Sequence, residues 1–263
     1  MLASARAVVA LGVLWQAVHP GVWQAELPMA AEGPLSVVRA VVVRLDPRAV
    51  RFTLDRRSRD YGLSGDWSID RLPPTGVVAF NAGQFSGGAP WGWLVQDGGE
   101  VQPPGTGTLG MAFVVGEGDE VSLVMPGELP AVRTRAAQAF QSYPALLVDG
   151  VMPWELRAPG RGVDLAHRDS RLAIGITSDN SVVVVLTRFT GIGSAAERFP
   201  WGPTAPEMAS FMKSLGCERA MLLDGGISGQ LAVRRPDGSV TRWSNFRAVP
   251  LGLVVSSRAP RAD

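Results

Sequence analysis

The chain has 263 residues, 46% of them hydrophobic, enough for a substantial core in one large domain or two small ones. Its 25 Lys and Arg against 24 Asp and Glu leave a net charge of +1 with no basic stripe or acidic tail, so nucleic acid is not an expected partner. A single cysteine excludes an intramolecular disulfide, and two histidines are too few for a histidine-rich zinc site.

At the start of the chain, Arg6 precedes the apolar run from Ala7 to Trp15, which has the order and length of a signal peptide and is too short to span a bilayer. The cleavage site is poor, because Trp15 and Trp23 intrude near Ala17 and Ala25. Residues 1–25 therefore read as a signal peptide or N-terminal anchor ahead of a domain over residues 26–263. The expected location is periplasmic or extracellular, with membrane association only through that first segment.

Short β-branched runs punctuated by Gly, Pro and Asp follow. Strands are expected from Val37 to Leu45, Val50 to Leu54, Val77 to Phe80, Gly92 to Gln96, Met111 to Val115 and Val121 to Met125. A short alanine-rich helix is expected from Arg133 to Phe140. Further strands run from Ala145 to Val148, Leu172 to Thr177 and Val182 to Thr187. A second helix spans Thr204 to Gly216, with a cap, a proline in its first turn, a closing glycine, and Met208, Phe211, Met212 and Leu215 at helical spacing. Strands from Ala220 to Leu223, Leu231 to Arg234 and Leu251 to Val255 complete the set. No linker divides this pattern, so the fold class is α+β: a single mixed α/β domain rich in strands with a few packed helices.

Four words carry chemistry. Phe80-Asn81-Ala82-Gly83-Gln84-Phe85 ends a strand in a carboxamide beside glycine, which suits either a sugar hydroxyl or the turn itself. Ala145-Leu-Leu-Val-Asp149-Gly150 and Ala220-Met-Leu-Leu-Asp224-Gly225 are one word used twice, an apolar strand delivering an acid into glycine. For Asp149 an ordinary Asp-Gly turn explains the word equally well. His167-Arg168-Asp169-Ser170-Arg171 crowds charge just before a strand and reads either as a salt-bridged surface turn or as part of a site. Asp224-Gly225-Gly226-Ile227-Ser228 places an acid beside bare backbone N–H groups and a hydroxyl, a place suited to an anion or an activated water.

Familiar alternatives are missing: there is no glycine-rich loop closing on Lys-Ser or Lys-Thr, no helical zinc-protease motif and no Gly-x-Ser-x-Gly elbow. Carboxylates and arginines must carry any catalysis. Eight tryptophans, among them Trp91 and Trp93 near the asparagine motif, serve either sugar stacking or the core.

Taken in order, Asn81-Ala-Gly-Gln-Phe85, Leu-Leu-Val-Asp149-Gly150, Arg171-Leu-Ala-Ile-Gly175 and Leu223-Asp-Gly-Gly-Ile-Ser228 resemble the phosphodiester glycosidase family over residues 35–255. Three departures stand out: Gln84 where the family usually has an aromatic, Leu172 where it has threonine, and Ile227-Ser228-Gly229 where it has a glycine followed by serines. The resemblance implies one mixed α/β domain that hydrolyses a sugar joined through its anomeric carbon to a phosphodiester, with a glycan or sugar phosphate of cell-surface or exopolysaccharide type as partner.

For such a reaction a carboxylate stabilises oxocarbenium character, while phosphate, already a good leaving group, needs its charge neutralised more than it needs a proton. Asp224 is then the expected nucleophile or general base, and Arg171 the fork on the phosphate, helped by the N–H groups of Gly225 and Gly226 and the hydroxyl of Ser228. Asn81 would orient sugar or carboxylate, and His167 with Asp169 would form a secondary acid/base pair. Gly83 and the reserve carboxylate Asp149 complete the expected substrate-binding set. No cofactor is called for, although either aspartate of the repeated word is a candidate for holding a divalent cation. The competing readings are a catalytically silent carbohydrate-binding protein of the envelope and a phosphodiesterase that attacks phosphorus.

Overall fold

The computed structural model describes residues 13–29, 37–56, 67–86, 89–107, 109–190, 199–244 and 246–258. In chain order the first strands are β1 (Gln16–His19), β2 (Val22–Pro28), β3 (Val38–Leu45), β4 (Val50–Arg56), β5 (Gly76–Asn81), β6 (Phe85–Ser86) and β7 (Ala89–Pro90). Next come β8 (Leu94–Gln96), β9 (Gly99–Gln102), β10 (Met111–Gly116), β11 (Val121–Val124), the single turn α1 (Leu129–Val132), β12 (Ala136–Ser142) and β13 (Ala145–Leu147). The last are β14 (Leu172–Thr177), β15 (Val182–Phe189), α2 (Ala205–Ser214), β16 (Cys217–Leu223), β17 (Leu231–Arg234), β18 (Val240–Trp243) and β19 (Leu251–Ser257).

A seven-stranded sheet in the order β1-β2-β3-β15-β14-β16-β13 forms the frame. Side chains alternate across its pleat. Val41, Val43, Ile174, Val184, Met221 and Leu223 face one way, and Ala40, Val42, Ala173, Val183, Val185 and Leu222 face the other. Both faces are covered, which is why β15 opens on an unbroken apolar run, Val182 to Leu186, rather than an alternating one. The outer face packs on α2 through Met208, Ala209 and Met212. That helix starts where its sequence says it should: the Thr204 side chain accepts from the Glu207 N–H, and the Glu207 carboxylate accepts from the Thr204 N–H at 2.8 Å.

The inner face meets two five-stranded sheets, β18-β17-β5-β19-β4 and β11-β10-β12-β8-β9. Phe52, Phe80 and Leu253 from the former and Met111, Phe113 and Phe140 from the latter join the same core. With 48% of the described residues in strands and 12% helical, and every strand pair among them antiparallel, the molecule is more nearly all-β than the α+β expectation.

The helix expected from Arg133 to Phe140 is instead a 3-10 turn, Arg133–Arg135, leading into β12. β12 lies between β10 and β8, and alanine there lets neighbouring layers approach, so tertiary packing overrides alanine's helical preference. Its buried glutamines are satisfied: Gln138 Nε2 donates to Asp97 Oδ1 at 2.8 Å, and Gln141 Oε1 accepts from the N–H groups of Trp93 and Gly105 at 3.0 and 2.8 Å.

The boundary read at residue 25 falls inside β2. Val18, Val22 and Ala25 are buried, and β2 pairs with β3 along its whole length, from Val22 opposite Leu45 to Pro28 opposite Arg39. The hairpin turn uses Gly21 at φ +72°, where a Cβ would come within 2.3 Å of the Ala49 side chain. Most of the apolar run read as a signal peptide lies outside the described residues. Among the described residues no helix is long and apolar enough to cross a membrane.

Candidate active site

The site forms where the ends of β5, β14 and β16 converge. β16 runs antiparallel to β14 with Leu223 opposite Leu172, so the next residue on each strand, Asp224 and Arg171, emerges at the same edge. The chain after β16 turns sharply through Asp224 to Gly229, with the Ser228 and Gly229 N–H groups donating to the Gly225 carbonyl at 2.9 and 3.2 Å.

Asn81, at the end of β5, fastens this turn from below. Its Nδ2 donates to the Asp224 carbonyl at 2.7 Å, its Oδ1 accepts from the Gln230 N–H at 2.9 Å, and the Asp224 N–H donates to the Gly83 carbonyl at 2.8 Å. Asn81 is fully buried, so it does not reach a sugar as the sequence reading allowed. It positions the backbone that carries Asp224, and Gly83 acts with it through its carbonyl rather than on substrate. Replacing Asn81 with alanine strands a buried N–H and a carbonyl, for an expected loss of about 3 kcal/mol in unfolding free energy, measured by urea denaturation.

Burial is the main influence on the Asp224 carboxyl and drives its pKa above the ordinary carboxylate range. The hydrogen bond with Ser228 and the charge of Arg247 oppose the shift, and the negative charge of Asp169 adds to it. Ser228 is itself largely buried, and its hydroxyl is engaged with the Asp224 carboxylate.

The two glycines that follow are required by the approach of a second loop. A Cβ on Gly225 would lie 2.4 Å from the Ser170 carbonyl oxygen, and one on Gly226, at φ +55°, would lie 2.7 Å from Asp169 Oδ2. The Gly226 N–H donates to the Ser170 carbonyl at 2.7 Å and is not offered to an anion. Of the pair, only the Gly225 N–H has no hydrogen-bond partner among the described residues.

On that second loop, Arg171 donates through Nε to the Pro203 carbonyl at 3.0 Å and through Nη2 to the His167 carbonyl at 2.6 Å. These bonds hold the guanidinium plane and leave Nη1 without a hydrogen bond among the described residues. Burial lowers its pKa against the raising effects of Asp169 and Asp164, and it stays a cation. Asp169 accepts the Ser170 N–H at 2.8 Å and stands 3.5 Å from His167 Nε2, whose ring is more than half exposed. Arg168 points away, forming a two-pronged ion pair with Glu207 at 2.8 Å per prong that ties the loop to the start of α2.

The repeated word is separated by geometry. β13 is antiparallel to β16, so Asp149 and Asp224 lie at opposite ends of the sheet. Asp149 sits at φ +50° in a tight turn, its side chain 73% exposed and paired with Arg219 at 2.9 Å, while the Gly150 N–H donates to the Glu218 carbonyl. It is the local Asp-Gly turn that the sequence equally allowed, and it stands away from the cavity that Asp224 lines.

A cavity of about 630 Å³ opens over Asp224. Asp169, Arg171, Gly225, Gly226 and Ser228 also line it, whereas Asn81, Gly83, His167 and Asp149 do not. Gln84, Tyr143, Trp91 and Arg247 line it too, and of these the sequence reading weighed only Trp91, for sugar stacking or for the core. Trp91 and Tyr143 meet edge to face at 6.2 Å on one wall, while Trp93 is buried in the core with its Nε1 donating to Glu100. Of these two tryptophans, Trp93 therefore belongs to the core and Trp91 to the cavity wall. Arg247 and Tyr143 stand in no motif; only the folding of distant loops brings them in. Among the described residues no group of three His, Cys, Asp or Glu side chains could hold a metal ion.

Comparison with family models matches residues 75–256 to the phosphodiester glycosidase family. None of the curated proteins matches the chain in sequence. Among solved structures, the catalytic domain of zebrafish N-acetylglucosamine-1-phosphodiester alpha-N-acetylglucosaminidase, auto-inhibited by its pro-peptide, is similar at a TM-score of 0.67. It is 16% identical, over 95% of this chain and 91% of that one. A hypothetical protein from Synechocystis is similar at 0.64 with 15% identity, over 94% and 64% of the two chains. A Burkholderia pseudomallei protein named as exported is similar at 0.59 with 13% identity, over 83% and 74%.

Proposed function

The chain belongs to the phosphodiester glycosidase family, and from that premise we propose that it is a hydrolase cleaving a sugar-1-phosphodiester at the bond between the anomeric carbon and the phosphate oxygen. The observation that carries this reading is Asp224: a carboxylate half-buried at a strand end, made more basic by its surroundings, in one cavity with an arginine whose plane is locked by backbone carbonyls.

Ionised Asp224 acts on the anomeric carbon as nucleophile or, through water, as general base. Arg171 turns its remaining N–H groups to the departing phosphate, and the Gly225 N–H adds a neutral donor. Ser228 holds the carboxylate in place. The phosphate leaves without needing a strong acid, so the His167 and Asp169 pair has a secondary part, moving a proton at the rim. The Trp91 and Tyr143 rings supply a wall for the face of a sugar. The substrates proposed are glycans of the cell envelope or exopolysaccharide type, met by an exported protein.

A panel of sugar-1-phosphodiesters including UDP-N-acetylglucosamine tests the reading. Free sugar is expected from at least one member with wild type and from none with Asp224→Asn. Glycan binding without sugar release by wild type would instead favour a silent binding protein, for which the aromatic wall alone would suffice. Because Asp224 works ionised and its pKa is raised, the acid limb of kcat/KM against pH is expected above the ordinary value of about 3.9. Activity falls as pH drops through that limb; a limb at or below the ordinary carboxylate value would remove Asp224 from the role.

A further inference from the structure

The cavity over Asp224 holds a second arginine beside Arg171. Among the described residues Arg44, Arg48, Arg133, Arg168, Arg219 and Arg258 each pair with a carboxylate. Arg247 does not: its guanidinium makes no hydrogen bond or ion pair among the described residues, yet it lines the same cavity as Asp224 and Arg171. Its backbone is fastened to the turn that carries the acid. The Arg247 N–H donates to the Ile227 carbonyl at 3.1 Å, and its carbonyl accepts from Gln230 Nε2 at 3.0 Å. Gln230 is in turn bonded to Asn81. One clamp of buried amides therefore places both Asp224 and Arg247, and the positive charge of Arg247 is felt at the Asp224 carboxyl with no ion pair among the described residues consuming it.

We infer that Arg247 is the second cation of a leaving-group clamp, taking the phosphate together with Arg171, and that the cavity prefers a phosphomonoester dianion to a phosphodiester. This rests on the hydrolase reading. When the C1–O bond breaks, its electron pair stays with the phosphate oxygen and water supplies the new oxygen on C1. One proton of that water stays on the sugar hydroxyl and the other passes to the base and then to solvent. The phosphate goes from one negative charge to nearly two. A single arginine balances the diester; the second balances the charge that appears only as the bond breaks, so its attraction grows toward the transition state and persists in the product complex. Simple phosphomonoesters should therefore inhibit competitively.

Calorimetric titration at pH 8 with methyl phosphate and dimethyl phosphate tests this without turnover. Wild type should bind the monoester at least about tenfold more tightly than the diester, a difference of about 1.4 kcal/mol. Arg247→Ala should collapse that ratio to near one, and Arg247→Lys should keep part of it. The Arg247 side chain is exposed, so the melting temperature of each variant should match wild type. An unchanged ratio in Arg247→Ala, or no monoester preference in wild type, overturns the inference. Selectivity that is lost in Arg247→Ala, in a protein that releases no sugar from any sugar-1-phosphodiester, upholds the clamp and removes the hydrolase reading instead.

Discussion

Asp224→Asn is expected to lower sugar release by about 10³-fold or more while raising the melting temperature at neutral pH. The first effect follows from the loss of the group that attacks or activates water, since an amide is neither base nor nucleophile. The second follows from linkage. The folded-state pKa of Asp224 is raised above its unfolded value, chiefly by burial. Its contribution to stability is therefore fully present below the unfolded pKa and is lost as pH rises through the folded one. At pH 7 the ionised carboxylate is a net burden on the fold, and asparagine, of the same shape and still able to accept from Ser228, removes it. The variant should melt about 1–3 °C above wild type at pH 7 and converge with it near pH 3, as read by thermal scans across pH. Turnover within tenfold of wild type would exclude Asp224 from the chemistry, and a lower melting temperature at neutral pH would contradict the account of its environment.

Arg171→Lys should cost about 10²-fold or more in kcat, although the charge is kept. The guanidinium is oriented by bonds to the Pro203 and His167 carbonyls, and what it presents to the cavity is the remainder of a planar fork. Lysine has one nitrogen, and it cannot satisfy two carbonyls while meeting a phosphate. Its pKa would also be pushed down by the same burial that lowers that of Arg171. If the fork acts mainly as the bond breaks, kcat falls more than KM rises; a change confined to KM would mean that Arg171 only holds the ground state.

Much of this arrangement was legible in the chain, and the parts that were not have physical causes. The strand ends at Asn81, Arg171 and Asp224 could be read because a buried strand followed by glycine is a local pattern, and the family resemblance rests on those words in order. The roles within the words were less legible. Gly226 and Gly225 look like an anion cradle in sequence, but their bareness answers to Ser170 and Asp169, residues some 55 positions earlier. Asn81 looks like a sugar ligand, yet its amide is used at both ends by the backbone of the turn above it. Asp149 shares its word with Asp224 and not its place, because antiparallel pairing sends successive strand ends to opposite edges. Residues 133–140 read as a helix because alanine favours one in isolation, and only the position of β12 between two strands reverses that. Arg247 carries no sequence signal; its meaning comes from the Ile227 and Gln230 contacts that hold it over the site.

Hydrolysis in ¹⁸O-labelled water, with the products of a cleaved sugar-1-phosphodiester separated and weighed by mass spectrometry, tests the central claim most directly. The account predicts label in the sugar and none in the phosphate with wild type, and no labelled product above background with Asp224→Asn. Label in the phosphate would mean attack at phosphorus and would contradict the glycosidase reading.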